Sequence, residues 1–339
     1  MNAPARALKP KDYASDQEVR WCAGCGDYAV LKAVERVLAE IGADPAGTVF
    51  VSGIGCAARF PYYVATYGFH GIHGRAPAIA TGVKLANPEL DVWVIGGDGD
   101  MLSIGATHLA HTLRRNPDLT LLLFNNEVYG LTKGQLSPTA PPGSRTPTSP
   151  LGSVESPLSA CRFALAAGAR FVARGIDTQK DLTGILRAAH DHPGTGFVEI
   201  LQNCIVYNDG AFAAITERAT AAEHQIHPVH GEPLLFGAAR DKGLRLAADG
   251  SGLEVIEIGA DGAGLEEVIR FDRTNLALAT MLASLEPPLP VAIGVLYDNP
   301  APVSYERALR AQEEAERARI GEADLGAMLR QGPVWMVTA

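Results

Sequence analysis

The chain reads as an α/β protein built on an open, mainly parallel sheet flanked by helices, and three observations carry that reading. Residues 92–95 and 121–124 are continuous apolar runs, as expected of parallel strands buried on both faces. The stretch between them, 101–115, has helical length, so the three segments form one βαβ unit. The alternation then continues through helix 158–167, strand 170–173, helix 178–190 and strand 196–201.

Residues 1–18 form a polar lead-in, expected to act as an arm on a partner. Asp27 can cap a helix in which Val30, Leu31, Val34, Val37, Leu38 and Ile41 make an apolar stripe, and Gly42 closes it. Trp21-Cys22-Ala23-Gly24-Cys25-Gly26 therefore lies on the loop entering that helix. A strand over 48–51 follows and ends in Ser52-Gly53-Ile54-Gly55-Cys56-Ala57-Ala58. His73-Gly74-Arg75 precedes a small-residue helix over 76–85, suited to close packing against another helix or subunit. Beyond the βαβ unit, residues 136–157 carry prolines 138, 141, 142, 147, 150 and 157. Because this stretch leaves directly from the turn 125–135, it reads as a lid or subunit contact. After Asp209 the pattern loosens to strands over 253–258 and 290–297, a helix over 273–285 and a charged helical segment over 303–329. The expected division is a cofactor-binding α/β domain with its N-terminal arm over 1–208, and a C-terminal extension over 209–339 that covers it or holds a partner.

The chemistry concentrates around the βαβ unit. Gly96, Gly97 and Gly99 let the chain turn sharply at the end of the first strand, and Asp98 and Asp100 place carboxylates beside a helix start that favours phosphate oxygens. A carboxylate next to phosphate repels it unless a cation intervenes. Mg²⁺ resolves the conflict by joining one or two protein oxygens to phosphate oxygens and water. Asp98 is the first expected ligand, with Asn126 and a nearby backbone carbonyl from the end of the next strand. The Gly-Asp-Gly turn followed by Asn125-Asn126 resembles the signature of thiamine diphosphate (TPP) enzymes. A helix-capping Asp and a turn Asn would explain each half separately but not the pair. The positions expected to bind cofactor are Gly55, Cys56, His73, Gly97, Asp98, Gly99, Asp100, Asn126, Val128, Gly130, Leu131 and Thr132.

Two other motifs fail on their context. The Trp-Cys-x-x-Cys sequence matches a redox pair of the thioredoxin kind, which needs an apolar strand directly upstream, whereas residues 13–20 are polar. The 53–58 turn has the form of a dinucleotide fingerprint, which needs an acid about 20 positions on. No Asp or Glu occurs between Pro45 and Pro88. That acid-free stretch carries Arg59, His70, His73, Arg75 and Lys84, and it reads as one wall of an anion site, with Lys84 expected to be a surface cation. Arg59 and His73 are the candidate catalytic residues, meeting the anions of substrate and cofactor.

Of the five cysteines, Cys161 lies in an apolar helix and reads as a small core residue. Cys22, Cys25, Cys56 and Cys204 fall on loops at element ends, where a distant pair can meet a Cys-x-x-Cys. Four thiolates can hold a structural Zn²⁺ or a [4Fe–4S] cluster, and the spacing accepts both.

Composition narrows the classes. Net charge is −9, from 29 Lys+Arg against 38 Asp+Glu, which gives a nucleic-acid role no electrostatic support. The N-terminus lacks a signal-peptide apolar core, and no stretch approaches the roughly 18 apolar residues of a membrane span, so a cytoplasmic protein is expected. Five cysteines in 339 residues argue against a secreted disulfide framework.

Taken in order, WCAGCGD, SGIGCAARFP, HGRAPAIATGVKLANP, GGDGDMLSIGATHL and NNEVYGLTKGQLSPT resemble the β subunit of 2-oxoacid:ferredoxin oxidoreductases, of the 2-oxoglutarate type, over residues 18–212. The resemblance implies the diphosphate-binding (PP) domain of the thiamin-diphosphate-binding fold, with a C-terminal extension. It implies a [4Fe–4S] cluster on Cys22, Cys25, Cys56 and Cys204, and Mg²⁺ on Asp98, Asn126 and the Val128 carbonyl. The implied reaction is oxidative decarboxylation of 2-oxoglutarate with coenzyme A to succinyl-CoA and CO₂, with electrons passing through the cluster to ferredoxin. TPP activation implies an α subunit that supplies the pyrimidine-binding half, an (αβ)₂ assembly, and no activity from this chain alone. A pyruvate-type member of the family is one alternative. A non-redox TPP decarboxylase or carboligase with a Cys₄ zinc is another. A cluster-bearing scaffold without TPP is the third, and the Gly-Asp-Gly and Asn-Asn pair speaks against it.

Overall fold

The computed structural model describes residues 7–259, 262–322, 324–333, 335 and 337, so the first six residues of the expected arm lie outside the described residues. Helix α1 (Asp27–Ile41) buries Val30, Leu31, Val34, Val37 and Leu38 and ends at Gly42, whose φ of 67° is the left-handed conformation a glycine adopts without strain. Each of those side chains contributes about 1.5–3 kcal/mol on burial, which fixes the face that α1 presents. Strands β1 (Thr48–Ser52), β2 (Tyr67–His70), β3 (Asp91–Gly97), β4 (Leu119–Asn125), β5 (Phe171–Ile176) and β6 (Thr195–Leu201) run parallel. Every residue of β1, β4 and β6 is buried, which is why their centres are largely apolar.

Helices α2 (Ala76–Ala86), α3 (Asp98–Leu102), α4 (Ala106–Arg115), α5 (Ala160–Ala166) and α6 (Leu182–Asp191) connect these strands. The C-terminal part adds an antiparallel sheet of β7 (Leu235–Phe236), β8 (Lys242–Leu246) and β9 (Leu253–Glu257), then α7 (Leu276–Ala283), β10 (Gly294–Asp298) and α8 (Tyr305–Ile320). Strand β10 pairs antiparallel with β5, so the main sheet runs β10-β5-β6-β4-β3-β1-β2. The C-terminal part thus supplies an edge strand to the same sheet as the expected cofactor domain. No helix among the described residues is long and apolar enough to cross a membrane.

Two cores sandwich the sheet. One joins α1, α6 and the short turn Phe60–Tyr63 to Phe50, Trp93, Ile95, Phe124 and Val198. The other joins α2, α4, α5 and α7 to Val51, Val94, Leu121, Leu123 and Phe197. The connection leaving β1 therefore crosses one face and the connection leaving β3 crosses the other. Their loops part at the carboxyl ends of these neighbouring strands, the switch point at which open α/β sheets bind ligands.

Several elements depart from the sequence expectation for local reasons. The expected helix 101–115 is interrupted between α3 and α4, where Gly105 meets Gly74 so closely that a Cβ on Gly74 would stand 2.5 Å from the Gly105 nitrogen. The break lets the His73 loop approach the glycine turn. Strand β2 lies at the sheet edge with all four residues exposed, and without a buried face it leaves no periodic signal. The single strand expected over 290–297 is two pieces, Val291–Ala292 and β10, hinged at Gly294 with φ 121°. The charged segment divides into α8 and a separate helix Leu325–Leu329. Lys84, expected at the surface, is buried and paired with Asp118 at 3.1 Å. Helix α2 packs on α4 within the chain, its Thr81 Oγ1 3.2 Å from Thr112 Oγ1.

Candidate cofactor and metal site

Three loops converge at the switch point: 54–57 after β1, 97–100 after β3 and 124–132 after β4. The eleven expected cofactor positions other than His73 all line the cleft between them. The glycine turn lies flat against Tyr129, whose hydroxyl donates to the Gly99 carbonyl at 2.7 Å, and a Cβ on Gly99 would come within 2.5 Å of that ring. His73 stands at the rim, with Nε2 3.3 Å from the Gly99 carbonyl and 3.8 Å from Asp100 Oδ1. Asp100 Oδ1 accepts the Gly74 N–H at 2.7 Å, which ties the His73 loop to the turn.

Asp98 is buried, and its Oδ2 accepts from both Ser137 Oγ at 2.6 Å and Thr139 Oγ1 at 2.5 Å. Burial raises the pKa of Asp98, and those hydroxyls oppose the rise. The hydroxyls occupy one oxygen. The cleft lining also offers the other Asp98 oxygen, the Asn126 amide oxygen and the Val128 carbonyl, a hard all-oxygen set of the kind Mg²⁺ takes, with the Asp100 carboxylate close by. Asn126 is held from both ends: Nδ2 donates to Gln202 Oε1 at 2.7 Å, and Oδ1 accepts the Val128 N–H at 3.3 Å. Between them Glu127 adopts a left-handed φ of 60°, a conformation that costs a non-glycine residue about 1–3 kcal/mol and recurs at functional sites. Burial, then the charge of Asp98, pushes the Glu127 carboxyl up to about 7.

Beside this cleft is a second cavity, lined by Cys22, Cys25, Cys56 and Cys204 with Trp21. A Cβ on Gly130 would lie 3.4 Å from Cys204 Sγ and 3.8 Å from Cys56 Sγ. The Cys25 N–H bonds the Cys22 carbonyl at 3.0 Å, Gln202 Nε2 donates to Cys25 Sγ at 3.3 Å, and Trp21 Nε1 donates to the Cys56 carbonyl at 2.8 Å. Burial pushes the Cys56 thiol up to about 12, with the charges of Asp27, Cys204 and Cys22 adding to it. Cys25 is raised for the same leading reason. Four thiolates crowded this way need a cationic centre to remain deprotonated. Among the described residues no three His, Cys, Asp or Glu side chains are grouped to hold one ion. A single zinc draws its sulfurs to one point at about 2.3 Å. A [4Fe–4S] cluster takes one thiolate at each iron.

The other sequence candidates separate. Arg59 lies outside the cleft lining, beside Cys56, and its Nη1 donates to the Arg20 carbonyl at 3.1 Å. His70 Nδ1 lies 2.7 Å from the Ala58 carbonyl and Lys84 pairs with Asp118, so of the expected cationic wall these two are engaged elsewhere, while His73 is set against the glycine turn. Cys161 is buried away from the other four, within 3.1 Å of Glu199 Oε2. Sequence reasoning gave no role to Ser137 and Thr139, which hold Asp98, or to Gln202, which bridges Asn126 and Cys25. Their only signal was their place beside the Asn-Asn turn and the last strand end.

Comparison with known proteins agrees with this arrangement. The family profile for the thiamine pyrophosphate enzyme C-terminal TPP-binding domain matches residues 53–200. The chain is 47% identical over 335 residues to the 2-oxoglutarate oxidoreductase subunit KorB of Mycobacterium tuberculosis, covering 97% of this chain and 88% of that protein. It is 48% identical over 190 residues to subunit beta of 2-oxoacid:ferredoxin oxidoreductase 1 of Aeropyrum pernix, covering 56% of this chain and 60% of that one. A solved 2-oxoglutarate:ferredoxin oxidoreductase from Magnetococcus marinus, with 2-oxoglutarate, coenzyme A and succinyl-CoA bound, superposes with a TM-score of 0.76 at 32% identity over 97% of each chain. The glycine turn, the Asn-Asn strand end and these relationships lead to one conclusion: the chain belongs to the family of β subunits of TPP-dependent 2-oxoacid:ferredoxin oxidoreductases, of the 2-oxoglutarate type.

Proposed function

We propose that this chain holds the diphosphate end of TPP through Mg²⁺ and carries a [4Fe–4S] cluster on Cys22, Cys25, Cys56 and Cys204, within an enzyme that oxidatively decarboxylates 2-oxoglutarate with coenzyme A and reduces ferredoxin. The observation that carries the reading is a shared wall: Cys56, Asn126 and Gly130 line both the cofactor cleft and the cysteine cavity. A cofactor in one and a cluster in the other would be near neighbours. When bound, TPP supplies the carbanion stabilisation that decarboxylation needs, and the cluster supplies a one-electron acceptor.

The chain's own residues bind and orient. Asp98, Asn126 and the Val128 carbonyl would hold the cation, and the N–H groups of the glycine turn receive the diphosphate. We assign His73, at the rim of that turn, to the cofactor anion and Arg59, beside Cys56, to the substrate carboxylate. An α subunit supplies the pyrimidine-binding half, in an (αβ)₂ assembly. Exposed Leu131 on the cleft lining, and exposed Ile72 and Ile104 on the adjoining loops, give the mouth an apolar rim for such a partner to cover. All five cysteines are free, the state that the reducing cytoplasm maintains and where we place the enzyme.

The isolated chain is expected to show no 2-oxoglutarate oxidation, and addition of its α subunit under anaerobic conditions is expected to restore ferredoxin reduction with 2-oxoglutarate preferred over pyruvate in kcat/KM. Full activity from the chain alone, or a preference for pyruvate, contradicts this reading.

A further inference from the structure

Glu199 and Arg174 are charged residues inside otherwise apolar strands. They are register partners on β6 and β5, 3% and 6% exposed, with Arg174 Nε donating to Glu199 Oε2 at 2.7 Å. A buried ion pair is weak support for stability, because apolar residues of similar volume often serve as well or better. The pair therefore calls for another explanation, and its remaining hydrogen bonds supply one.

Glu199 Oε1 accepts Asn125 Nδ2 at 2.8 Å. A carboxylate can only accept, so the Asn125 amide must direct its NH₂ toward Glu199 and its oxygen the other way. That oxygen accepts the Glu127 N–H at 3.3 Å and lies 2.9 Å from Thr139 Oγ1. The first contact reaches the metal site, while the single Thr139 proton goes to Asp98. Thr139 is one of the two hydroxyls on Asp98, and Glu127 is the left-handed residue between Asn126 and Val128. A flipped Asn125 would set its NH₂ against the Glu127 N–H, donor against donor. On the far side, Arg174 Nη1 donates to the Ala292 carbonyl at 3.4 Å, which anchors the pair to the C-terminal part of the chain.

We propose that the buried Arg174–Glu199 pair is a positioning device for the metal site: by fixing the orientation of Asn125 it holds the Glu127 turn that presents Asn126 and Val128. The proposal rests on the reading that Asp98, Asn126 and Val128 hold Mg²⁺.

The test uses the αβ complex stripped of metal, with TPP binding followed by circular dichroism as Mg²⁺ is added back. Glu199→Gln keeps the volume but lets either amide flip, and the Mg²⁺ concentration at half-maximal binding is expected to rise about 10- to 100-fold, the usual cost of losing an outer partner of a metal ligand. The double variant Arg174→Met/Glu199→Leu is expected to melt within a few degrees of the wild type and yet show the same weakened Mg²⁺ dependence. A wild-type Mg²⁺ midpoint in Glu199→Gln, or in a double variant that melts like the wild type, overturns the proposal. Asp98→Asn separates the two levels of the argument. If it raises the midpoint and Glu199→Gln does not, the positioning role alone fails; if Asp98→Asn also leaves the midpoint unchanged, the metal assignment fails with it.

Discussion

Asp98→Ala is expected to abolish Mg²⁺-dependent binding of TPP and to lower turnover of the αβ complex by about a thousandfold, the scale of losing the several kcal/mol a bound cation contributes. The size of the effect follows from the site. Asp98 is the only carboxylate among the three proposed ligands, so its loss leaves Mg²⁺ with neutral oxygens beside a diphosphate. The fold should tolerate the change, because the carboxylate is itself raised in pKa by burial, and beside the Gly99 and Glu127 N–H groups it leaves behind the Ser137 and Thr139 hydroxyls, which lie 3.0 Å apart and can bond each other. Binding of TPP by the variant with a wild-type Mg²⁺ requirement would show that the cation sits elsewhere.

Cys56→Ser is the second large effect. It removes the cysteine that lines both cavities, and the cluster is expected to be lost or to turn over too slowly to detect. Ferredoxin reduction should fall by more than the ~100-fold that loss of an outer metal partner costs. Binding of TPP and Mg²⁺ should stay within a few-fold of the wild type, because serine keeps the size of Cys56 and the proposed Mg²⁺ ligands lie on the loops after β3 and β4. A variant that still reduces ferredoxin at the wild-type rate would remove Cys56 from the electron path. Cys161→Ser serves as the control for iron content alone, since that thiol bonds Glu199 and faces neither cavity.

The βαβ unit was legible because strands buried on both faces are largely apolar, and because capping and turn formation explain the Gly-Asp-Gly turn and the Asn-Asn strand end separately but not as a pair. The placement of four cysteines on loops was legible too. Their convergence follows from topology: β1 and β6 are parallel members of one sheet, so the loops carrying Cys56 and Cys204 leave from the same edge. What the sequence hid is of a different kind. Ser137 and Thr139 lie in a proline-rich stretch without periodicity, so nothing marked them as the hydroxyls that hold Asp98. Glu199 stood inside the expected strand 196–201, where a single charge does not reveal whether it meets solvent or a buried arginine. The break between α3 and α4 depends on the contact of Gly74 with Gly105, which is distant in sequence and carries no local signal. Lys84 shows the same limit in reverse: a lysine on a helix reads as exposed until the fold supplies Asp118 and the Leu90 carbonyl as partners.

The central claim is that one chain places a cluster of iron and sulfide against a TPP cleft. An anaerobic visible spectrum of the purified chain, with iron, sulfide and zinc analysis and Cys22→Ser alongside, tests it most directly. The expected result is a brown protein with broad absorbance near ~400 nm and about four irons per chain, colour that the Cys22→Ser variant loses. Stoichiometric zinc, with no iron taken up even after anaerobic reconstitution, would contradict the account and leave the cysteines as a structural site in a non-redox TPP enzyme.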